Sequence, residues 1–204
     1  MNSETLWTEN AAGYEGRLRW PIVSLYIQNK DRHVKNFLSC CKGHLLDLGS
    51  GSGYYLNGLL DNFENITAVD SSDEMLDIFK KNNGMNGNIR LVNSDVRKFS
   101  SKSKFDSVLC IGLLNYLNEK ETESLISNVN GMMKKGGKIL ISAPTSDRPS
   151  GHLYRLIWGI AGVKINLYNS SSLMEKMKSA GFSKIKVKNG DDLLSFHVIM
   201  EARK

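Results

Sequence analysis

The sequence predicts an α/β domain built on a mostly parallel sheet with helices on both faces. The first observation behind this is a rhythm: from His44 to Ala143, short apolar runs alternate with helix-length amphipathic stretches. That pattern marks strand–helix–strand crossovers. The second is the way each run ends. The strand ends read Asp47–Gly53, Asp70, Asn93–Asp95, Ile111–Gly112 and Ala143–Pro144, all polar, glycine-bearing or turn-forming. The third is length: 204 residues suit one domain, 1–204, with one substantial core.

Residues 1–41 read as a helical N-terminal cover, with apolar positions at Ile22, Leu25, Tyr26, Val34, Phe37 and Leu38. Pro21 suits a first helical turn. Strand 44–48 is followed by a helix near 53–61. Strand 65–69 precedes a helix over 73–82, which Ser72 or Asp73 can cap and Gly84 can stop. Ile89–Asn93 and Phe105–Ile111 are the third and fourth strands. A helix over 119–133 is expected to finish in Lys134-Lys135-Gly136-Gly137, a basic last turn and a glycine stop, before a fifth strand at Lys138–Ala143. Residues 144–169 then break the rhythm. They are irregular and rich in aromatics, as a lid inserted into a compact domain would be. A helix over 171–180 leads to strands at 184–188 and 195–202, and Asn189-Gly190 between them signals an antiparallel pair.

The chain carries a formal net charge of +6. The basic residues are spread along it, and Lys184, Lys186 and Lys188 alternate like the wet face of a strand, so a nucleic-acid partner is disfavoured. No apolar run approaches the roughly 18–20 residues needed to span a bilayer. The Met-Asn-Ser-Glu-Thr start lacks the basic-then-apolar pattern of a secretion signal. The cysteines, Cys40, Cys41 and Cys110, form no disulfide framework. A reducing, cytoplasmic location is therefore expected. His33, His44, His152 and His197 are scattered, so no metal-ligand spacing arises.

The chemistry concentrates at the first two strand ends. Leu45-Leu-Asp-Leu-Gly-Ser-Gly-Ser-Gly53 is a buried strand followed by glycine at every second position, which lets the backbone approach a ligand closely. Asp70 ends the second strand, where a carboxylate can accept both hydroxyls of a ribose or cap the next helix. Asp95 can accept the exocyclic amine of adenine or stand solvated in its loop. Asp47 can orient the glycine loop or meet an ammonium group. A dinucleotide fingerprint fails in both registers, because its third glycine falls on Tyr54 or Leu56. No Walker-type Gly-Lys-Ser/Thr occurs. These details favour S-adenosylmethionine among nucleoside cofactors.

Leu45–Gly53, Ala68-Val-Asp-Ser-Ser-Asp-Glu-Met75, Asn93-Ser-Asp95, Phe105–Leu117 and Gly136–Ser142, in that order, resemble the class I S-adenosylmethionine-dependent methyltransferases of the small-molecule type. The resemblance covers about residues 10–204. It implies a Rossmann-like seven-stranded sheet of order 3-2-1-4-5-7-6 with strand seven antiparallel. It also implies cofactor contacts. Gly49, Ser50, Gly51 and Gly53, with Asp47, would lie under the methionine part, Asp70 on the ribose, and Ser71 or Met75 beside the base. Asp95 and Val96 would read adenine, and Ile111 and Gly112 would line the methionine moiety. Tyr14, within Ala11-Ala-Gly-Tyr14, matches an N-terminal element that closes over the cofactor.

Leu114-Asn-Tyr-Leu117 stands where many small-molecule members carry paired histidines. Asn115 and Tyr116 can hydrogen-bond an acceptor, but neither is a strong base. His152, in the expected lid, is the candidate base, and Tyr14 and Tyr116 are the other candidate catalytic groups. Arg17, Trp20, Arg148, Tyr154, Arg155 and Trp158 are candidate acceptor contacts, the arginines as clamps for an anionic group. The expected function is methyl transfer to a small-molecule oxygen, nitrogen or carbon by in-line displacement. An RNA or protein methyltransferase and a non-catalytic cofactor-binding partner domain are the alternatives. The oligomeric state is left open.

Overall fold

Seven strands form one sheet in the order β3-β2-β1-β4-β5-β7-β6. They are β1 (His44–Leu48), β2 (Asn65–Asp70), β3 (Ile89–Asn93), β4 (Phe105–Cys110), β5 (Met133–Pro144), β6 (Ser183–Asn189) and β7 (His197–Arg203). All neighbours are parallel except β5–β7 and β6–β7. This is the order and the antiparallel seventh strand that the resemblance implied. The computed structural model describes residues 21–85, 87–160, 162–189 and 195–204, with side chains from residue 30 onward except at Asn189. The expected turn at Asn189–Asp192 lies largely outside the described residues, but the strands on either side of it pair antiparallel as expected.

Alternation along the strands sorts the core onto two faces. Leu45, Leu109, Leu140 and Ile199 point to one face, where Val34, Phe37 and Leu38 of α1 (Pro21–Ser39) and Phe79 of α2 (Asp73–Asn83) cover them. Leu46, Val108, Ile139 and Met200 point to the other. There they meet Leu125, Ile126 and Val129 of α3 (Glu119–Met132) and Leu173 and Met177 of α5 (Ser170–Ser179). Among the described residues a fifth helix, α4 (Pro149–Ile160), lies between β5 and α5 in sequence. Each fully buried leucine of these strands contributes roughly 1.5–3 kcal/mol relative to exposure.

The helix boundaries follow from local chemistry. Ser72 Oγ accepts from Met75 N (3.2 Å) to start α2, and the Gly84 N–H bonds Lys80 O to end it. Asn118 and Glu121 form a reciprocal capping box at α3, and Asn169 caps α5.

Three expectations are corrected. Residues 53–61 form turns and a short 3₁₀ segment, Leu60–Asn62, instead of a helix. Gly53 and Gly58 take φ of 71° and 77°, the left-handed region, which a right-handed helix cannot include. The helix over 119–133 stops at Met132, before its basic residues. Buried Met133 pairs with Phe105 across an irregular register, drawing Lys134–Gly137 into β5. The segment 144–169 is not irregular throughout, because α4 occupies nearly half of it.

Candidate active site

The carboxyl ends of the parallel strands form one edge, the usual ligand edge of an open α/β sheet. Asp47, Ile111, Ser142 and His197 lie two residues along from Leu45, Leu109, Leu140 and Ile199. Period-two alternation therefore puts all four on the α1 side of that edge.

The glycine turn is fastened to β2. Gly49 N and Ser50 N both donate to Val69 O (2.8 and 3.1 Å). The Asp70 carboxylate accepts from Gly51 N (2.8 Å) and Ser72 N (3.0 Å), tying the turn to the start of α2. Gly53 is required twice over. Its φ is positive, and a Cβ there would meet the Phe79 ring at 2.6 Å and Asn83 Nδ2 at 2.3 Å. Gly51, also at positive φ, has nothing within 4 Å of where its Cβ would be, and neither has Gly112. The turn thus packs on α2 with one side and opens at Gly51 with the other. Ser50 Oγ is buried without a hydrogen-bond partner among the described residues.

Two carboxylates share this crevice. Burial, and then the charge of Asp70, push the Asp47 carboxyl up to about 7. Burial also raises Asp70, opposed by the N–H groups of Ser72, Gly51 and Ser71. Acids held above their usual range in a shared site favour a cationic occupant. Close backbone, an open glycine, an orphaned hydroxyl and two acids together fit the amino-acid and ribose parts of S-adenosylmethionine.

The remaining predicted cofactor contacts fall along the same edge. Ser71 is exposed, and Met75 is buried in the first turn of α2. Ser94 N donates to Asp70 O (2.9 Å), joining the ends of β2 and β3. Asp95 is held in a fork by Arg97, whose Nε donates to both carboxylate oxygens (2.9 and 2.8 Å). Arg97 keeps Asp95 below the usual carboxylate range and also reaches Glu121 (3.1 Å). Any ligand amine would therefore share Asp95 with Arg97. Val96 is buried in the α3-side core. Gly112 N donates to Ser142 Oγ (3.1 Å), linking the ends of β4 and β5 beside Ile111.

Beyond β4 the chain turns through a 3₁₀ segment, Leu114–Tyr116. Tyr168 pins it, with its hydroxyl 2.5 Å from Leu117 O and 2.8 Å from Thr122 Oγ1. Asn115 is buried and its Nδ2 donates to the Tyr154 hydroxyl (3.3 Å). Tyr116 packs with Tyr154 and Trp158 around Val163 and Ile165. Tyr154 stacks on Phe196 (centroids 4.2 Å apart) and meets Trp158 and His197 edge-on. Tyr154, Trp158, Asn115 and Tyr116 are thus brought together.

Other predicted contacts are not. His152 is exposed, with a ring nitrogen 3.1 Å from Ser146 O. Arg155 is exposed and lines an open cleft of about 510 Å³ with Asn118, Lys164 and Tyr168, to which no glycine-loop residue contributes. Arg148 is half-buried just before α4. Tyr14, Arg17 and Trp20 lie outside the described residues.

Two residues not singled out by the sequence pattern join this edge. His197 is buried beside Tyr154, and burial and the Lys30 charge push its pKa well below the ordinary 6.5. Burial lowers Lys30 to about 8, against the opposing pull of Asp31. Lys30 also stands 5.8 Å from the Tyr55 ring centroid. Lys30 had a visible signal: it precedes Val34 and Phe37 by four and seven positions, on the buried stripe of α1. His197 alternates with Ile199 like any strand residue and had none.

Residues 45–137 match the family model of the methyltransferase domain. Over that stretch, just under half of its length, the chain is similar to a methyltransferase domain. It is 23% identical over 174 residues to desmethylxanthohumol 6'-O-methyltransferase of Humulus lupulus, covering 81% of this chain and 48% of that protein. It is 28% identical over 113 residues to the ubiquinone biosynthesis O-methyltransferase of Coxiella burnetii, covering 54% of this chain and 47% of that one. The chain therefore spans about half the length of these curated relatives. A solved magnesium protoporphyrin IX methyltransferase from Synechocystis, with bound S-adenosylhomocysteine, superposes with a TM-score of 0.79 at 14% identity, covering 98% and 97% of the two chains. Among the described residues no helix is long and apolar enough to cross a membrane, and no cluster of metal-ligating side chains occurs.

Proposed function

We propose that this methyltransferase domain transfers a methyl group from S-adenosylmethionine to a small-molecule acceptor. The observation that carries the reading is the crevice itself: Asp70 bonded to Gly51 N beside buried Asp47, with Gly51 open. In it, the glycine turn and Asp47 would hold the amino-acid end, Asp70 the ribose, and Ser71 or Met75 the base. Asp95 and Val96 would meet adenine, and Ile111 and Gly112 would flank the methionine chain. When bound, the cofactor supplies a methyl carbon already activated by a sulfonium charge.

The protein's own work is to place the acceptor in line with that carbon and keep water out. Asn115, Tyr116, Tyr154 and Trp158 form the cover for the acceptor, and Tyr14, Arg17 and Trp20 remain candidates to complete it. By position, His197 replaces His152 in this reading as the histidine beside the acceptor, where its ring can hydrogen-bond the acceptor group. It is buried and packed on Tyr154, whereas His152 faces outward and contacts Ser146 O. Burial and the Lys30 charge lower the pKa of His197 and make it a weak base, which suits an acceptor that needs little help losing its proton. The relatives named for small-molecule methylation support the acceptor class.

Incubating host-cell extract with the protein and methyl-labelled S-adenosylmethionine tests this. Mass spectrometry should find the label in low-mass products that are absent with an Asp70→Ala control. Label confined to RNA or protein would overturn the acceptor class.

A further inference from the structure

The apolar surface of α4 is arranged as an outward face. Leu153, Leu156, Ile157 and Ile160 recur at i, i+3, i+4 and i+7, the spacing of one helical stripe. They are 58%, 60%, 57% and 81% exposed. The helix's other face is spent on the fold: Gly151 is buried against Thr145, and Tyr154 and Trp158 pack inward. The stripe therefore does not close over the site as an apolar lid would. Large apolar side chains left exposed as one patch mark a docking surface.

Charge identifies what it docks on. From Arg148 to Met174 the chain has no acidic residue, while Arg155 and Lys164 are exposed within that stretch. The whole chain is positive, at +6. A second copy of the chain is a poor fit, since four side chains on three turns fall short of the roughly 800 Å² per partner that stable pairs bury. An apolar helical stripe in an acid-free, basic segment matches an anionic bilayer surface, where such helices lie with their apolar face about 5–10 Å into the headgroup boundary.

We propose that α4 is a membrane-surface helix, seating Leu153, Leu156, Ile157 and Ile160 in the interface of an anionic bilayer. Its inner residues, Tyr154 and Trp158, cover the acceptor region, so docking sets that region against the lipid.

Vesicle flotation of the full chain tests the proposal, with phosphatidylglycerol-containing vesicles against pure phosphatidylcholine. The chain should float with the anionic vesicles and dissociate at high salt. The pair Leu156→Glu and Ile160→Glu should lower binding at least tenfold while thermal melting and S-adenosylhomocysteine binding stay unchanged. Arg155→Glu with Lys164→Glu should weaken it severalfold. Absence of flotation, or equal flotation of the Leu156→Glu/Ile160→Glu variant, overturns the proposal. So does a concentration-dependent dimer abolished by those substitutions in sedimentation velocity. S-adenosylhomocysteine binding is read separately, so either result leaves the cofactor reading to stand or fall on its own.

Discussion

At the β1–β2 end of the carboxyl edge, the groups that would face a ligand are held by main-chain hydrogen bonds. Gly49, Ser50 and Gly51 donate to Val69 O or Asp70, and Ser72 N donates to Asp70 in turn. At the β5–β7 end, Tyr154, Phe196, His197 and Trp158 are held by ring packing, and one helix covers them while leaving its own apolar face outside. The first arrangement depends little on side-chain identity beyond glycine and two acids. It suits a ligand of fixed shape. The second depends on which rings fill it, so changing a ring changes its shape. The proposed cofactor and acceptor regions divide along that line.

The sharpest way to break the rigid half is Gly53→Ala. The added Cβ meets the Phe79 ring and Asn83 at an unfavourable φ, so the fold should lose roughly 2–4 kcal/mol in urea unfolding. An unchanged midpoint would mean that the turn is softer than its contacts imply. Next comes Asp70→Ala, expected to weaken S-adenosylhomocysteine binding at least tenfold, about 1.4 kcal/mol, by calorimetry. Asp70→Asn, which keeps a carbonyl oxygen for Gly51 N, should retain the fold and still lose affinity. Unchanged affinity in both variants would remove the ribose assignment.

Asp47 gives a pH signature. Its carboxyl is raised to about 7, so at lower pH the folded apo protein keeps a proton that the unfolded chain releases near 3.8. That contribution to apo stability is fully present below 3.8 and is lost as pH rises through about 7. A cationic ligand favours the ionised form, so S-adenosylmethionine affinity should rise with pH up to about 7, by at most tenfold per unit. Asp47→Asn should flatten that slope. An unaltered slope would assign the titration elsewhere in the crevice. The smallest effect belongs to the other half: Ile160→Ser, at a position 81% exposed, should change thermal stability by less than about 0.5 kcal/mol.

The same division separates the legible residues from the hidden ones. Asp47, Gly49–Gly53 and Asp70 were legible because main-chain geometry demands specific residue types at fixed spacing. The sheet order came with the resemblance those residues carry, and the antiparallel last pair came from alternation and Asn189-Gly190. The helix expected over 53–61 failed because Gly53 and Gly58 adopt a conformation that composition alone does not announce. The start of β5 at Met133 depended on pairing with distant Phe105. On the acceptor side, His152 was conspicuous as a lone histidine in an aromatic segment, yet helix α4 turns it outward. His197 was hidden in an ordinary strand pattern, and only the register Pro144↔His197 brings it to the carboxyl edge.

The central claim is that this crevice takes S-adenosylmethionine, not a dinucleotide. Calorimetry of the full chain against S-adenosylhomocysteine and against NAD tests it directly. The account predicts one site for S-adenosylhomocysteine in the micromolar range and no measurable heat with NAD. NAD binding without S-adenosylhomocysteine binding would contradict it.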